Sequence, residues 1–436
     1  MIIAILLILA AVPPDTVALS LDAAIARALT HSPGLLAERA QARAAAQLPG
    51  SATRAFLPSV RAELQGLRTT DPVAVFGMKL RQGVFAANDL ALDALNGPSA
   101  FGGFTTGIQA ELPLLAPEGL FGYAAARRAA AARAAGTERA AGATVLRVTQ
   151  AYWDTQLAAG RLIALDTALV AARAHERQAE AMRDQGLVTG LDARMARLQA
   201  ASVEVQRLAA AAAADNARAR LAAFLGLPDT SVIQLVDSLS ERGDATCADT
   251  SPACTIDERG DLRALAAGAG AADLGAKGAW AAQLPQVAAF GAIARHAHDA
   301  PWGEGSGDWT VGIGVRWNVF PALSGVAAVR RARADADAAR ARLDAARLEA
   351  TVEAGEARRM VASARAGAAV AGGAELEGAE ALEQARLRYR TGSAPITELL
   401  DVQAAATQAV LTHQSAQRDL LLALALLDFA YGVHDR

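Results

Sequence analysis

The stretch RYRTGSAPITELLDVQ, residues 388–403, carries two carboxylates three residues apart, Glu398 and Asp401, directly after a Gly–Ser–Ala–Pro break between two helical patterns. Side chains at i and i+3 share one helix face. Acids in a first helical turn also favour the positive end of the macrodipole, by about 0.3–1 kcal/mol each. The other candidates for chemistry are few. Of six histidines only His296 and His298 cluster, beside Asp299, too few groups to predict a metal site. No Walker-type phosphate loop occurs. The residues argue for no enzyme and no cofactor. Cys247 and Cys254 stand in the loop-like stretch CADTSPAC. They either pair in an oxidising compartment or remain two free thiols; zinc is not expected without a nearby His.

Composition narrows the elements that must position these groups. Hydrophobic residues make up 53% of the 436 residues and aromatics only 4%. The apolar content is largely Ala, which suits thin helix–helix seams better than a thick core. A formal charge of −3 gives no reason to expect nucleic acid. The apolar run from Ile2 to Val12 is shorter than the about 20 residues that span a bilayer. It predicts a signal peptide over residues 1–18, with a buried helix as the alternative.

The chain is written twice. Residues 186–226 align without a gap on residues 392–432, so that Gly186 meets Gly392, Asp192 meets Glu398 and Gly226 meets Gly432. Upstream, LFGYAAARRA echoes LSGVAAVRRA, and each unit holds about 200 residues. No proline falls between Pro117 and Pro228 or between Pro321 and Pro395. The helices this allows would each reach about 100 Å, lengths found in coiled coils or tubes. Before each long helix lie short stretches of period-2 alternation. In WTVGIGVRWNVF, residues 309–320, the odd positions are apolar and the even ones up to 318 run Thr, Gly, Gly, Arg, Asn. One face in lipid explains such a strand, with tryptophans at the membrane interfaces. Single-chain barrels start at eight strands, and open edges are not tolerated in lipid. Four strands per chain therefore predict several copies sharing one barrel.

With its duplicated strand–strand–long-helix unit, its turn Gly186-Leu187-Val188-Thr189 leading to Asp192, and its turn Tyr389-Arg390-Thr391-Gly392 leading to Glu398 and Asp401, the sequence resembles the TolC-like outer-membrane efflux proteins. The resemblance implies a mainly α fold with a small β part. Three copies would share a twelve-stranded barrel in outer-membrane lipid and a helical barrel in the periplasm. It further implies a periplasmic gate at Asp192, Tyr389, Glu398 and Asp401, the last two forming stacked carboxylate rings. The latch arginine has no counterpart, since Ala394 stands in its place. Gly186, Leu187, Gly392 and Ser393 would contact a periplasmic adaptor, although the valines of the family's Val–Gly pairs are Gln185 and Thr391 here. An inner-membrane pump would complete the system.

The expected layout follows. Residues 19–226 form a first repeat, with strands at 58–70 and 104–115 and a hairpin tip at 186–190. Residues 227–260 form an equatorial segment. Residues 261–432 form a second repeat, with strands at 285–297 and 308–320 and a tip at 391–395, before a tail at 433–436. The insert 66–103 reads as an outer loop over the barrel mouth, with room for a short helix around 88–95. The expected function is a passive exit channel of a tripartite efflux or secretion system. Alternatives are a type I protein or polysaccharide export duct, or a non-transporting coiled coil of the envelope.

Overall fold

The computed structural model describes residues 16–228, 232–239, 247, 254–320 and 322–433. The first half runs β1 (Thr16–Leu19), α1 (Leu21–His31), α2 (Pro33–Ala45), α3 (Leu48–Ala52) and β2 (Ser59–Thr69). Then come α4 (Pro72–Gln82), α5 (Leu92–Asn96), β3 (Phe101–Leu115), α6 (Pro117–Asp184), α7 (Gly190–Phe224) and β4 (Val232–Leu235). The second half runs α8 (Gly260–Ala281), β5 (Gln286–Ala297), β6 (Gly305–Arg316), α9 (Ala322–Arg390) and α10 (Ile396–Ala430). The duplication is visible in the lengths. α6 and α9 hold 68 and 69 residues, and α7 and α10 hold 35 each. The leader expected at 1–18 lies outside the described residues as far as residue 15, while Thr16–Ala18 belong to β1. The segment 227–260 and the tail are described only in part.

The chain divides into two units, one taking in residues up to Ala42, Arg133–Ala264 and Asp344 onwards, the other Arg43–Ala132 and Leu265–Leu343. The second unit holds an antiparallel sheet in the order β2-β3-β5-β6. Its register sets Ala62 against Ile108, Ile108 against Ile293, and Ile293 against Trp309. Directly paired residues share a face, so these join Val311, Ile313 and Val315 on one apolar face. Arg61, Gln109 and Thr310 fall on the other. The outermost strands, β2 and β6, each have one unpaired edge among the described residues.

Two expectations need correction: β3 begins at Phe101, not 104, so that with β2 ending at Thr69 the insert runs from 70 to 100, and the last strand ends early. The last strand is Gly305–Arg316, not 308–320. Arg316 pairs with Gln286, the first residue of β5, and the preceding Pro285 has no N–H to extend the ladder. Trp317 leaves the strand, its indole Nε1 donating to the Gln283 carbonyl at 3.0 Å. In the insert, the short helix given room around 88–95 corresponds to a 3₁₀ turn and the five-residue α5, and the longer α4 at residues 72–82 adds to it. Asp71 caps α4 by accepting from Ala74 N–H at 2.7 Å, Pro72 opens it, and Gly83 closes it at φ +71. Those start and stop signals were present in the sequence.

In the first unit β1 and β4 pair in parallel. Asp237 Oδ2, just past β4, accepts from Leu21 N–H at 2.6 Å and lies 2.8 Å from the Tyr152 hydroxyl. Burial, then the hydrogen bond with Asp237, pushes the Tyr152 phenol up. The helix seams use small residues, as in the cluster of Ala168, Leu169, Ala172, Ala200 and Val203. Cys247 and Cys254 are bonded to each other. The buried Cys247 packs with Ala357, Leu424 and Leu427 of α9 and α10.

Arg259 ties α8, α9 and α10 together. Its buried guanidinium donates to Asp261 at 2.7 Å, to Glu353 at 2.7 Å and to the Ala430 carbonyl at 3.4 Å. Burial alone would raise the Asp261 pKa. Hydrogen bonds from Arg259 and the charges of Arg139 and Arg259 outweigh it and hold the carboxyl below its ordinary range. Arg259→Ala should cost about 2–3 kcal/mol, less than a fully buried pair because the acids left behind reach water. A folded pKa held low contributes stability above the ordinary carboxylate value and loses it as pH falls through the folded value. The loss of unfolding temperature in Asp261→Asn should therefore be full near pH 7 and shrink as pH drops below about 4.

Candidate functional site

The two hairpin turns share one backbone design. α6 ends with Gly186 at φ +72, where Gly186 N–H donates to Arg183 O at 2.9 Å and Leu187 N–H to Met182 O at 2.8 Å. α9 ends with Gly392 at φ +72, where Gly392 N–H donates to Tyr389 O at 3.1 Å and Ser393 N–H to Arg388 O at 2.9 Å. Both are Schellman closures, which need a residue in the left-handed region. A Cβ at Gly186 or Gly392 would meet nothing within 4 Å. The glycines therefore answer a backbone demand and not a shortage of space. Leu187, Leu191 and Ser393 stand exposed beside them.

The acids after the turns differ in their bonding. Thr189 caps α7 and shares a capping box with Asp192, whose Oδ2 accepts from Thr189 N–H and Thr189 Oγ1, both at 2.8 Å. In the second repeat Pro395 occupies the matching place. It has neither an N–H nor a hydroxyl, and α10 carries no side-chain cap. Glu398, aligned with Asp192, reaches instead to Arg388 at the end of α9 and forms an ion pair. Asp401 aligns with Met195 and is exposed, with no hydrogen bond or ion pair among the described residues. Of the three acids it alone has neither a hydrogen-bond nor an ion-pair partner among the described residues.

Tyr389 is 3% exposed and packs with Ala179, Ala196, Ile396 and Leu399 in a cluster that joins both hairpins. Its hydroxyl is buried without a hydrogen-bond partner among the described residues. Burial, and then the charge of Asp192, pushes the phenol up. Further from the turns, Arg386 donates to Gln403 at 3.2 Å. His175 is buried nearby, held low by burial and by the Arg386 charge.

Sequence reasoning did not find the Arg388–Glu398 pair or the polar set of His175, Arg386 and Gln403. The exchange of Thr189 for Pro395 in the alignment was the available signal for the first. His175 carried none, standing alone in a helical pattern. In the other unit, His296 Nδ1 lies 3.1 Å from Thr105 Oγ1 and its Nε2 3.0 Å from Asp308, while His298 stacks on Phe101. The two rings thus engage separate partners.

The duplicated strand–helix order, the twin Schellman turns and the two-faced sheet can be compared with known proteins. Residues 24–227 and 254–433 match the family described as outer membrane efflux protein. The chain belongs to that family. Its place is the outer membrane. The fold is similar to that of the outer-membrane channel OprN, at 21% identity and a TM-score of 0.77, covering 94% of this chain and 89% of that one. It is similar to the Campylobacter jejuni CmeC outer membrane channel, at 17% identity and 0.82, covering 94% and 85%. The open state of the Neisseria gonorrhoeae MtrE outer membrane channel superposes at 19% identity and 0.78, covering 94% and 88%. No curated protein aligns significantly with the sequence.

The single-chain geometry makes a direct prediction for Tyr389. Because its buried hydroxyl is unpartnered, Tyr389→Phe should leave the thermal unfolding temperature unchanged or slightly raised. Calorimetry of the detergent-extracted protein checks this; a clear drop would mean that the hydroxyl is bonded in the assembled protein.

Proposed function

We propose that this protein is the passive exit channel of a tripartite efflux system. Three copies share one barrel in outer-membrane lipid, the helical hairpins lie in the periplasm, and an adaptor and an inner-membrane pump deliver the substrate. The observation that carries the reading is the four-stranded sheet, with its apolar face and two open edges. Membrane barrels need at least eight strands and no free edge. A non-transporting coiled coil would have no use for such a sheet. The copy number of three comes from the family resemblance. No enzymatic step is part of the proposal.

The turns at 186 and 392 are the periplasmic entrance in this reading. Asp192, Tyr389, Glu398 and Asp401 surround the gate, but their roles divide. Asp192 is taken up by its capping box, and Glu398 is compensated by Arg388. Asp401 supplies the negative ring. Tyr389 helps to hold the two hairpins together. Gly186, Leu187, Gly392 and Ser393 form the tips that meet the adaptor, with Leu187 offering an exposed apolar contact.

Purified protein in a planar bilayer should give discrete channels that prefer cations, with the preference screened as salt rises. Asp401→Asn should move the reversal potential in a salt gradient towards zero, and Glu398→Gln should move it less. Equal selectivity in wild type and Asp401→Asn would overturn the gate assignment.

Bulky β-branched residues at Gly186 or Gly392 should weaken crosslinking to the adaptor while the oligomer persists. These residues strain a left-handed backbone position. Undiminished crosslinking in both variants would remove the turns from the adaptor interface.

A further inference from the structure

We infer that α4 is an interaction surface for two further copies of itself, and that three such helices meet inside the barrel mouth as an apolar constriction. The inference rests on the exit-channel reading and deepens it. Trp309, Val311 and Ile313 lie on the apolar face, while Ser306 lies on the opposite, polar face with its cross-strand partner His296. Thr105, the partner of His296 on β3, is on the polar face too. α4 packs against this polar face. Ser306 Oγ donates to the Arg81 carbonyl, and Gln82 Nε2 donates to the Gly102 carbonyl at 3.5 Å. A Cβ at Gly103, on the Thr105 side, would overlap the Gln82 side chain. These contacts sit where β2 ends and β3 begins, and where β5 ends and β6 begins. That is the end of the sheet away from the entries into α6 and α9.

The helix is inverted for a surface element. The side turned inward buries Val75 and Gln82 and half-buries Lys79, which pairs with Asp89 at 2.6 Å. The side turned outward carries Val73, 81% exposed, and Leu80, 51%, with Phe76 between them, 36% exposed and packed edge-on against Phe85, all at helical spacing. An apolar stripe facing water marks a contact surface. Lipid does not supply the cover, because lipid meets the other face of the sheet. Closing the barrel turns every polar face, and so every α4, towards one enclosed space. Closure brings the α4 stripes of all copies into that one space, together with the exposed Val84, Leu90 and Leu92 of the same insert. A ring of such side chains narrows the passage and resists wetting, as hydrophobic gates do.

The test uses the full chain extracted from membranes, whose two native cysteines are bonded to each other. Leu80→Cys, oxidised in the intact oligomer, should yield covalent dimers on a non-reducing gel, and Val311→Cys on the lipid face should not. In planar bilayers, Val73→Ser combined with Leu80→Ser should raise single-channel conductance by about two-fold or more, as a wetted constriction would. Should Leu80→Cys fail to assemble, Val73→Cys at the most exposed position replaces it. An intact oligomer with no crosslink at either site overturns the inference, and so does an unchanged conductance in the serine pair. A wild type that forms no channel strikes the exit-channel reading itself, and the crosslink then still decides whether α4 faces its copies.

Discussion

The constraint on which the structure depends is the backbone hydrogen bonding of β2 and β6. Each strand leaves one edge of N–H and C=O groups unpaired in the single chain. In water those groups would be solvated; in hydrocarbon each unsatisfied group costs several kcal/mol. A sheet with Trp309, Val311, Ile313 and Val315 on one face suits hydrocarbon, and in the proposed reading its edges are closed by other copies. The polar face then lines an interior. The duplication fits this arrangement, since each repeat contributes two strands and one long hairpin. The cheapest helix seams for such hairpins are the Ala-rich ones observed, where small residues let the backbones come close.

Duplication also lets one template serve two purposes. The twin turns keep the same left-handed glycine and the same carbonyl closures, because those are backbone requirements. The residues just beyond are free to diverge. Thr189 and Asp192 lock the first turn by capping. Pro395 removes that option in the second, where Glu398 pairs with Arg388 instead. Two acids that look equivalent in an alignment thus acquire different electrostatic weight from a single change of cap.

Much of this was legible in the sequence, and the divisions have physical reasons. Repeat length, long helices and alternating strands are written by periodicity over many residues, which tolerates local exceptions. The strand end at Arg316 was not, because alternation continues to Val319 while hydrogen bonding stops at Pro285 on the neighbouring strand. α4 was not legible because Val73, Phe76 and Leu80 face outward while only Val75 and Gln82 are buried. The pattern marks a stripe but not which side is buried, and only Asp71, Pro72 and Gly83 mark its ends. The pairing of Arg388 with Glu398 spans a turn, beyond the reach of helical spacing rules. The cysteines left two readings open, and the bonded pair packs against helices more than a hundred residues away in sequence.

The central claim is that these four strands complete a barrel only with other copies of the chain. Native mass measurement of the protein extracted from membranes in mild detergent tests it most directly. The account predicts a single species of three chains, twelve strands in all. A monodisperse, folded single chain that retains its strand content would contradict it.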